Sequence, residues 1–334
     1  MTTPDAADAG LRYADDTRPG ITRRRAGTGV SYRMPDGSLA SKAVRERANA
    51  LAIPPAWTDV WIATDPRSHL QATGRDARGR KQYRYHDRWA EHVNRLKFDR
   101  MVPFGEALPA LRARVADDLA GRGLTHDRVT ALAVRLLDET LIRVGNAEYA
   151  RTNGTFGLTT LRDEHVAFEK GGLTLAFVGK SAKEHALSVA DRKLARLVRA
   201  CRDLPGHDLF QYRTADGSTA TLGSADVNAY LRETMGDDDV SAKSFRTWGG
   251  TVAAAEALAA MDAADPDRAV ADAIKTVSGL LGNTVAVCRQ YYVHPDVLDA
   301  YRAGGFADRL AAPADVPEGL RPTEAAVLSL LRGG

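Results

Sequence analysis

At 334 residues, with 44% hydrophobic and 27% charged side chains, the chain has the length and composition of about two globular domains. It carries no run of about 18 apolar residues and no basic-then-apolar start, so a cytoplasmic protein without a membrane partner is expected, and its two cysteines, Cys201 and Cys288, lack the spacing of a disulfide framework or a zinc site. The net charge of +3 conceals an asymmetry: residues 1–90 hold 16 Lys/Arg against 10 Asp/Glu, net +6, and the remainder 30 against 33, net −3, so the field that would suit a polyanion belongs to the N-terminal part.

In chain order, the first ten or so residues are small and polar and are expected to be disordered. The stretches ITRRRAGTGVSYRMPDGSLA, WTDVWIATDP and HLQATGRDARGRKQYRYH then alternate short β-prone runs with turn signals such as Pro35, Asp36 and Gly37. They predict a small, mostly antiparallel β-sheet domain. After Trp89 the spacing turns helical, as in RWAEHVNRLKFDRMV and in THDRVTALAVRLLDETLIRVG, where Thr125 is a candidate N-cap. The expected division is an N-terminal β-rich domain over residues 1–90 and a larger, mainly α-helical domain over residues 91–334. Within the second, LTTLR, HVAFE and LTLAFV, separated by Asp163 and Glu164 and by Lys170, Gly171 and Gly172, read as a short three-stranded antiparallel meander. Helices resume near residue 190, with an alanine-rich one around residues 253–273. The fold class is α+β.

Several places on this layout carry chemistry. The segment GRDARGRKQYRYHDRW, residues 74–89, interleaves six cations with Tyr83, Tyr85 and Trp89. Arg80, Lys81 and Arg84 can neutralise phosphates, while Gln82, Tyr83 and Tyr85 can reach sugars or base edges. The plainer alternative is a solvated strand with aromatic cross-strand packing. Farther on, Val129, Leu132, Ala133, Leu136, Thr140 and Val144 follow helical spacing, and Arg143 falls within that stripe. An arginine there requires an anion, either an internal carboxylate or a bound phosphate. Lys180, in FVGKSAKEH, occupies a turn between two strands, where it is either solvated or able to donate a proton to a leaving oxygen. Arg246, in KSFRTWGG, lies among aromatic and glycine residues.

The last place is GNTVAVCRQYYVHP. Val277, Leu280, Leu281, Thr284, Cys288 and Tyr291 share one helical face, which predicts Tyr291 in the core and Tyr292, rotated by about 100°, facing a groove. A single helix from Asn283 to Tyr292 would set those two residues on opposite sides, so if both act on one phosphate the helix must break between them.

In their order along the chain, these pieces resemble the type IB DNA topoisomerases, most closely the compact bacterial branch similar to the poxvirus enzymes. GRKQYRYH resembles the family's N-terminal DNA-contacting stretch, LIRVGNAEYARTNGTFGLTTL its first-arginine motif and FVGKSAKEH its lysine hairpin. KSFRTWGGT resembles its second-arginine box and GNTVAVCRQYYVHP its tyrosine motif, the likeness running over about residues 20–300. The resemblance implies that Tyr292 is the nucleophile, that Arg143, Lys180, Arg246 and Asn283 surround the scissile phosphate, and that Tyr149 and Arg151 join residues 80–85 in contacting DNA. Asn283 departs from eukaryotic and poxvirus members, which carry histidine there. An asparagine can donate a hydrogen bond to a phosphoryl oxygen and cannot protonate one, which leaves Lys180 as the general acid.

The implied reaction is reversible transesterification through a 3′-phosphotyrosyl bond, relaxing supercoils of both signs without cofactor, ATP or metal. The implied actor is a nucleoid-associated monomer clamped around duplex DNA. One rival is a tyrosine recombinase, which usually carries His-x-x-Arg at the second-arginine box and a helical N-terminal domain. Here the box reads Lys243, Ser244, Phe245, Arg246, and the N-terminal part reads as β. A second rival is a non-catalytic DNA-binding protein.

Overall fold

The computed structural model describes residues 5–27, 29–261, 265–310, 313 and 315–333. It separates into two compact units, one ending at Phe98 and the other beginning at Asp99.

The first unit contains β1 (Ile21–Ala26), β2 (Gly29–Arg33), α1 (Lys42–Ala50), β3 (Thr58–Ile62), β4 (Leu70–Arg75), β5 (Lys81–Tyr85) and α2 (Asp87–Asp99). The strands form one antiparallel sheet in the order β2-β1-β3-β4-β5, with Ile21 paired to Ile62 and Thr73 to Tyr83. Alternation along the strands gathers Ile21, Tyr32, Val60, Ile62 and Ala72 into one core with Ala48 of α1. That helix starts where the Ser41 hydroxyl accepts the Val44 N–H. Gly74 is needed in β4 because a Cβ there would come within 2.8 Å of the Trp57 ring. Of the first ten residues, 1–4 lie outside the described residues. Ala6 is buried against Leu11 and Trp89, and Ala7–Ala9 make one 3-10 turn.

The second unit is mainly helical: α3 (Met101–Ala120), α4 (His126–Thr140), α5 (Ala147–Asn153), α6 (Arg192–Arg202), α7 (Ser224–Met235), α8 (Ala242–Ala259), α9 (Pro266–Leu281), α10 (Val285–Tyr291), α11 (Pro295–Arg302), α12 (Phe306–Arg309) and α13 (Pro322–Arg332). Two small antiparallel sheets interrupt the helices. One is β6 (Val166–Phe168), β7 (Leu173–Gly179) and β8 (Lys183–Val189), and the other pairs β9 (Gln211–Arg213) with β10 (Thr219–Thr221). The α+β class holds. Among the described residues no helix is long and apolar enough to cross a membrane.

Three local expectations differ from what is found. LTTLR is a 3-10 turn at Leu158–Thr160 and not a strand, because its N–H groups bond back to the 143–144 segment: Leu158 to the Arg143 carbonyl at 2.8 Å and Thr159 to Val144 at 2.7 Å. The third strand of the meander is β8, beyond the lysine turn. The alanine-rich stretch is two helices, the second restarted by Asp265, whose carboxylate accepts the N–H groups of Asp267 and Arg268; residues 262–264 lie outside the described residues. Finally, α4 begins at the expected cap, Thr125, but stops at Thr140, where Leu141 turns left-handed with φ 53°. Arg143 therefore lies beyond the helix in a segment without regular secondary structure and not on its apolar stripe.

The wholly buried Trp248 and Phe245 of α8 form the core with Phe104 of α3, whose ring meets Phe245 edge-on at 5.4 Å. A charged clip closes this core. Glu324 of α13 is wholly buried, and its oxygens accept from Arg112 at 2.7 and 2.9 Å, from Arg321 at 2.7 Å and from the Trp248 indole at 3.3 Å. Burial alone would raise the Glu324 carboxyl. The hydrogen bonds from Arg112 and Arg321 outweigh it and hold the group down at about 2, against an ordinary 4.5. Because the folded value is depressed, the stabilisation is complete above about 4.5 and is lost as pH falls toward 2. Glu324→Gln should cost about 3–5 kcal/mol at neutral pH, since it leaves Arg112 partly uncompensated. Denaturant melts of both proteins should show this gap closing as pH falls through that window. A gap independent of pH would mean that the carboxylate charge is not what holds α13.

Candidate active site

Helix α8 is the platform of the site. Arg246, 4% exposed, reaches from it to the C-terminal ends of two other helices, donating through Nη1 to the Leu141 carbonyl and through Nη2 to the Leu281 carbonyl at 2.7 Å. These are carbonyls that a helix terminus leaves without an internal partner, at the negative end of its dipole. The Nε of Arg246 is buried and has no hydrogen-bond partner among the described residues. One turn farther along α8, a Cβ on Gly249 would come within 2.5 Å of the Leu141 side chain and one on Gly250 within 2.6 Å of the Tyr292 carbonyl oxygen. The two glycines of KSFRTWGG thus let both segments lie directly on the helix. Next to them the Thr251 hydroxyl, which donates to the Thr247 carbonyl at 2.9 Å, lies 3.4 Å from the Tyr292 carbonyl and accepts the His294 N–H at 3.0 Å.

The tyrosine segment reaches this platform through a break. Helix α9 ends at Leu281, Gly282 takes φ 60°, and α10 starts afresh where the Thr284 hydroxyl accepts the Val287 N–H. The turn delivers Asn283, whose side-chain oxygen accepts from Arg143 Nη2. At the far end of α10, Tyr292 leaves the helix with φ −130°, and its ring lies 5.3 Å from the Arg246 guanidinium, to which it is also hydrogen-bonded. Arg143, Arg246, Asn283 and Tyr292 are therefore brought together. Tyr291, expected in the core, is 38% exposed. Gly282 resets the helical phase, so the stripe of α9 does not continue into α10, although Cys288 remains buried.

The electrostatics of this cluster are unusual. Burial lowers the Arg143 pKa, with Tyr292 and Cys288 acting in the opposite sense. Burial and then the neighbouring Arg143 charge bring Arg246 down to about 10. Among the described residues neither guanidinium is paired with a carboxylate; their partners are main-chain carbonyls, an amide and a phenol. Of the two anions Arg143 could have required, no internal carboxylate pairs with it among the described residues.

Lys180 lies on the β7–β8 hairpin, an element none of the other four occupies. It begins the tight turn at the exposed tip of the β7–β8 hairpin, where Ser181 and Ala182 both have left-handed φ, and no hydrogen bond or ion pair holds its amine among the described residues. Two residues that the sequence did not single out lie closer in. Lys183 donates to the Asn283 carbonyl at 3.3 Å. His185 stacks on Phe177 at 5.1 Å, its pKa lowered by burial and then by Arg143, Arg246 and Lys183. A sequence signal existed for His185: period-2 alternation through KEHALSV puts it on the same face as Leu187 and Val189.

The candidate DNA-contacting residues of β5 lie on an edge strand of the first unit. Tyr83 and Tyr85 are exposed and stacked, with centroids 6.0 Å apart and planes at 9°. Arg80 and Lys81 are paired with Asp76 at 2.7 Å and Asp16 at 2.6 Å, Gln82 donates to Asp76 at 3.0 Å, and Arg84 donates to the Leu51 carbonyl at 3.0 Å. In the second unit, Tyr149 and Arg151 are exposed on α5.

Comparison with known proteins adds the following. The family model for the eukaryotic DNA topoisomerase I catalytic core matches residues 86–304, and that for the N-terminal domain of bacterial DNA topoisomerase IB matches residues 29–76. The DNA topoisomerase 1B of Acanthamoeba polyphaga mimivirus is 32% identical over 296 residues, covering 85% of this chain and 88% of its own. The DNA topoisomerase 1B of Vaccinia virus (strain Copenhagen) is 21% identical over 269 residues, covering 77% of this chain and 81% of its own. A solved XerH site-specific recombinase gives a TM-score of 0.38 at 16% identity, over 59% of this chain and 49% of its own, a likeness too partial to build on.

Proposed function

This chain belongs to the type IB DNA topoisomerases, and we propose that it relaxes supercoiled duplex DNA by transient cleavage of one strand at Tyr292. The Tyr292 hydroxyl oxygen attacks a backbone phosphorus and its proton passes to water. The new P–O bond forms as the bond to the 5′-oxygen breaks, and that oxygen takes a proton from the Lys180 ammonium. Resealing runs the same steps backwards, so the phosphotyrosyl bond conserves the energy and no ATP is consumed. Arg143, Arg246 and the Asn283 amide donate to the non-bridging oxygens, where charge builds up in the pentacoordinate transition state. A single chain supplies all five groups, so a monomer acts on the duplex, with β5 of the first unit and Tyr149 and Arg151 of the second contacting the backbone.

One observation carries this reading: a buried guanidinium, Arg246, and a half-buried one, Arg143, meet at a tyrosine with no carboxylate paired to either among the described residues. Burying a cation unpaired costs several kcal/mol, and a phosphate is the anion whose geometry suits a pair of arginine forks. The same cations can neutralise transition-state charge in place of a metal. Purified protein should therefore relax plasmids of either supercoil sign in EDTA and without ATP, as read by agarose gel. Relaxation that requires magnesium or ATP would overturn the proposal.

A further inference from the structure

The residue before Lys180 and the residue before Asn283 are both glycines, and both abut the same imidazole. A Cβ on Gly179 would come within 2.7 Å of His185 Cδ2, and one on Gly282 within 2.6 Å of His185 Cε1. The ring is thus wedged between the root of the lysine turn and the turn that delivers Asn283. Its orientation is set by the stack on Phe177, its direct cross-strand partner, with planes at 16°. Resting on the reading of Lys180 as the leaving-group acid, we propose that His185 is a positioning residue that holds the Lys180 hairpin at its working distance from the Asn283 turn.

The two sides of the wedge are not equally anchored. Asn283 is fixed without it, through the Arg143 bond to its side chain and its own N–H to the Ser278 carbonyl at 3.2 Å. The hairpin tip has left-handed φ at two non-glycine residues, and its only described tether to that turn besides the imidazole is Lys183 on the Asn283 carbonyl. Removing the ring therefore releases Lys180 and leaves Asn283 where it is. A wedge acting by shape should be uncharged, and burial, reinforced by the neighbouring cations Arg143, Arg246 and Lys183, lowers the imidazole pKa and so favours its neutral form.

The test measures single-turnover cleavage on ordinary DNA and on DNA whose 5′-bridging oxygen is replaced by sulfur, which departs as a thiolate and needs no proton donor. His185→Ala should cut ordinary DNA at least about tenfold more slowly, a fraction of what a general acid contributes, with DNA affinity unchanged, and should return close to the wild-type rate on the sulfur substrate. In a Lys180→Ala background it should cause no further loss, since both changes remove the same function. Gly179→Ala, which pushes the ring aside without altering it, should show the same pattern and serves as the second variant if His185→Ala folds poorly. A defect that persists with sulfur, or that multiplies with Lys180→Ala, overturns the role of His185 and leaves the acid in place. Wild-type cleavage of ordinary DNA by Lys180→Ala overturns the acid itself, and the positioning role with it.

Discussion

Tyr292→Phe should bind DNA as the wild type does and form no covalent adduct at all. The substitution keeps the ring beside Arg246 and the backbone against Gly250 and Thr251, and removes only the oxygen that attacks phosphorus. Tyr291→Phe changes a residue that is 38% exposed on the short helix before it and should leave cleavage largely intact. Suicide substrates labelled on one side of the break or the other separate the cases. Wild type and Tyr291→Phe should retain the 3′-phosphate side on the protein, and Tyr292→Phe should retain neither. An adduct formed by Tyr292→Phe and missing from Tyr291→Phe would make the neighbouring residue the nucleophile.

Arg246→Ala should slow single-turnover cleavage by about 10² or more, the scale for losing one preorganised donor to transition-state charge. Stability should fall as well, because the guanidinium also satisfies the Leu141 and Leu281 carbonyls, and leaving such groups unpaired costs about 1–3 kcal/mol each. Arg143→Ala should cost a similar factor in rate with less effect on the melt, since its hydrogen-bond partner is the side chain of Asn283 and not a helix terminus. Arg246→Lys separates charge from shape. An ammonium keeps the positive charge and cannot hold two carbonyls while also facing a phosphate, so it should remain slow. Cleavage at the wild-type rate by a folded Arg246→Ala protein would show that this arginine is only a structural tie.

Much of this arrangement was legible in the sequence, where patterns are local. Strand alternation, turn residues and helix caps gave the α+β class, and the Thr125 cap is where the spacing put it. Tertiary geometry was less accessible. Nothing in LDETLIRVG marks Leu141 as left-handed, and extending the apolar stripe past it put Arg143 on a helix that has already ended. The same extrapolation, carried through Gly282, put Tyr291 in the core, although that glycine was a readable stop signal. It chose Tyr292 as the groove-facing residue through a phase that the chain does not keep. Strand alternation puts His185 on the inward face of β8, but its role rests on Gly179 and Gly282, more than a hundred positions apart, which only the fold brings against its ring.

The contact between Tyr292 and α8 also bears on mechanics. If one DNA strand is tethered through the Tyr292 side chain while the duplex beyond the break spins, the torque is delivered to that residue's main chain. There it meets Gly250 and Thr251, on the same helix as Trp248 and Phe245, and so passes into densely packed interior instead of a compliant loop. Under the proposed mechanism, such a mooring would hold the phosphotyrosyl bond in register with the guanidiniums while the duplex turns. Drag on the turning DNA, and not recoil of the anchor, would then govern when the free 5′ end comes round to be rejoined.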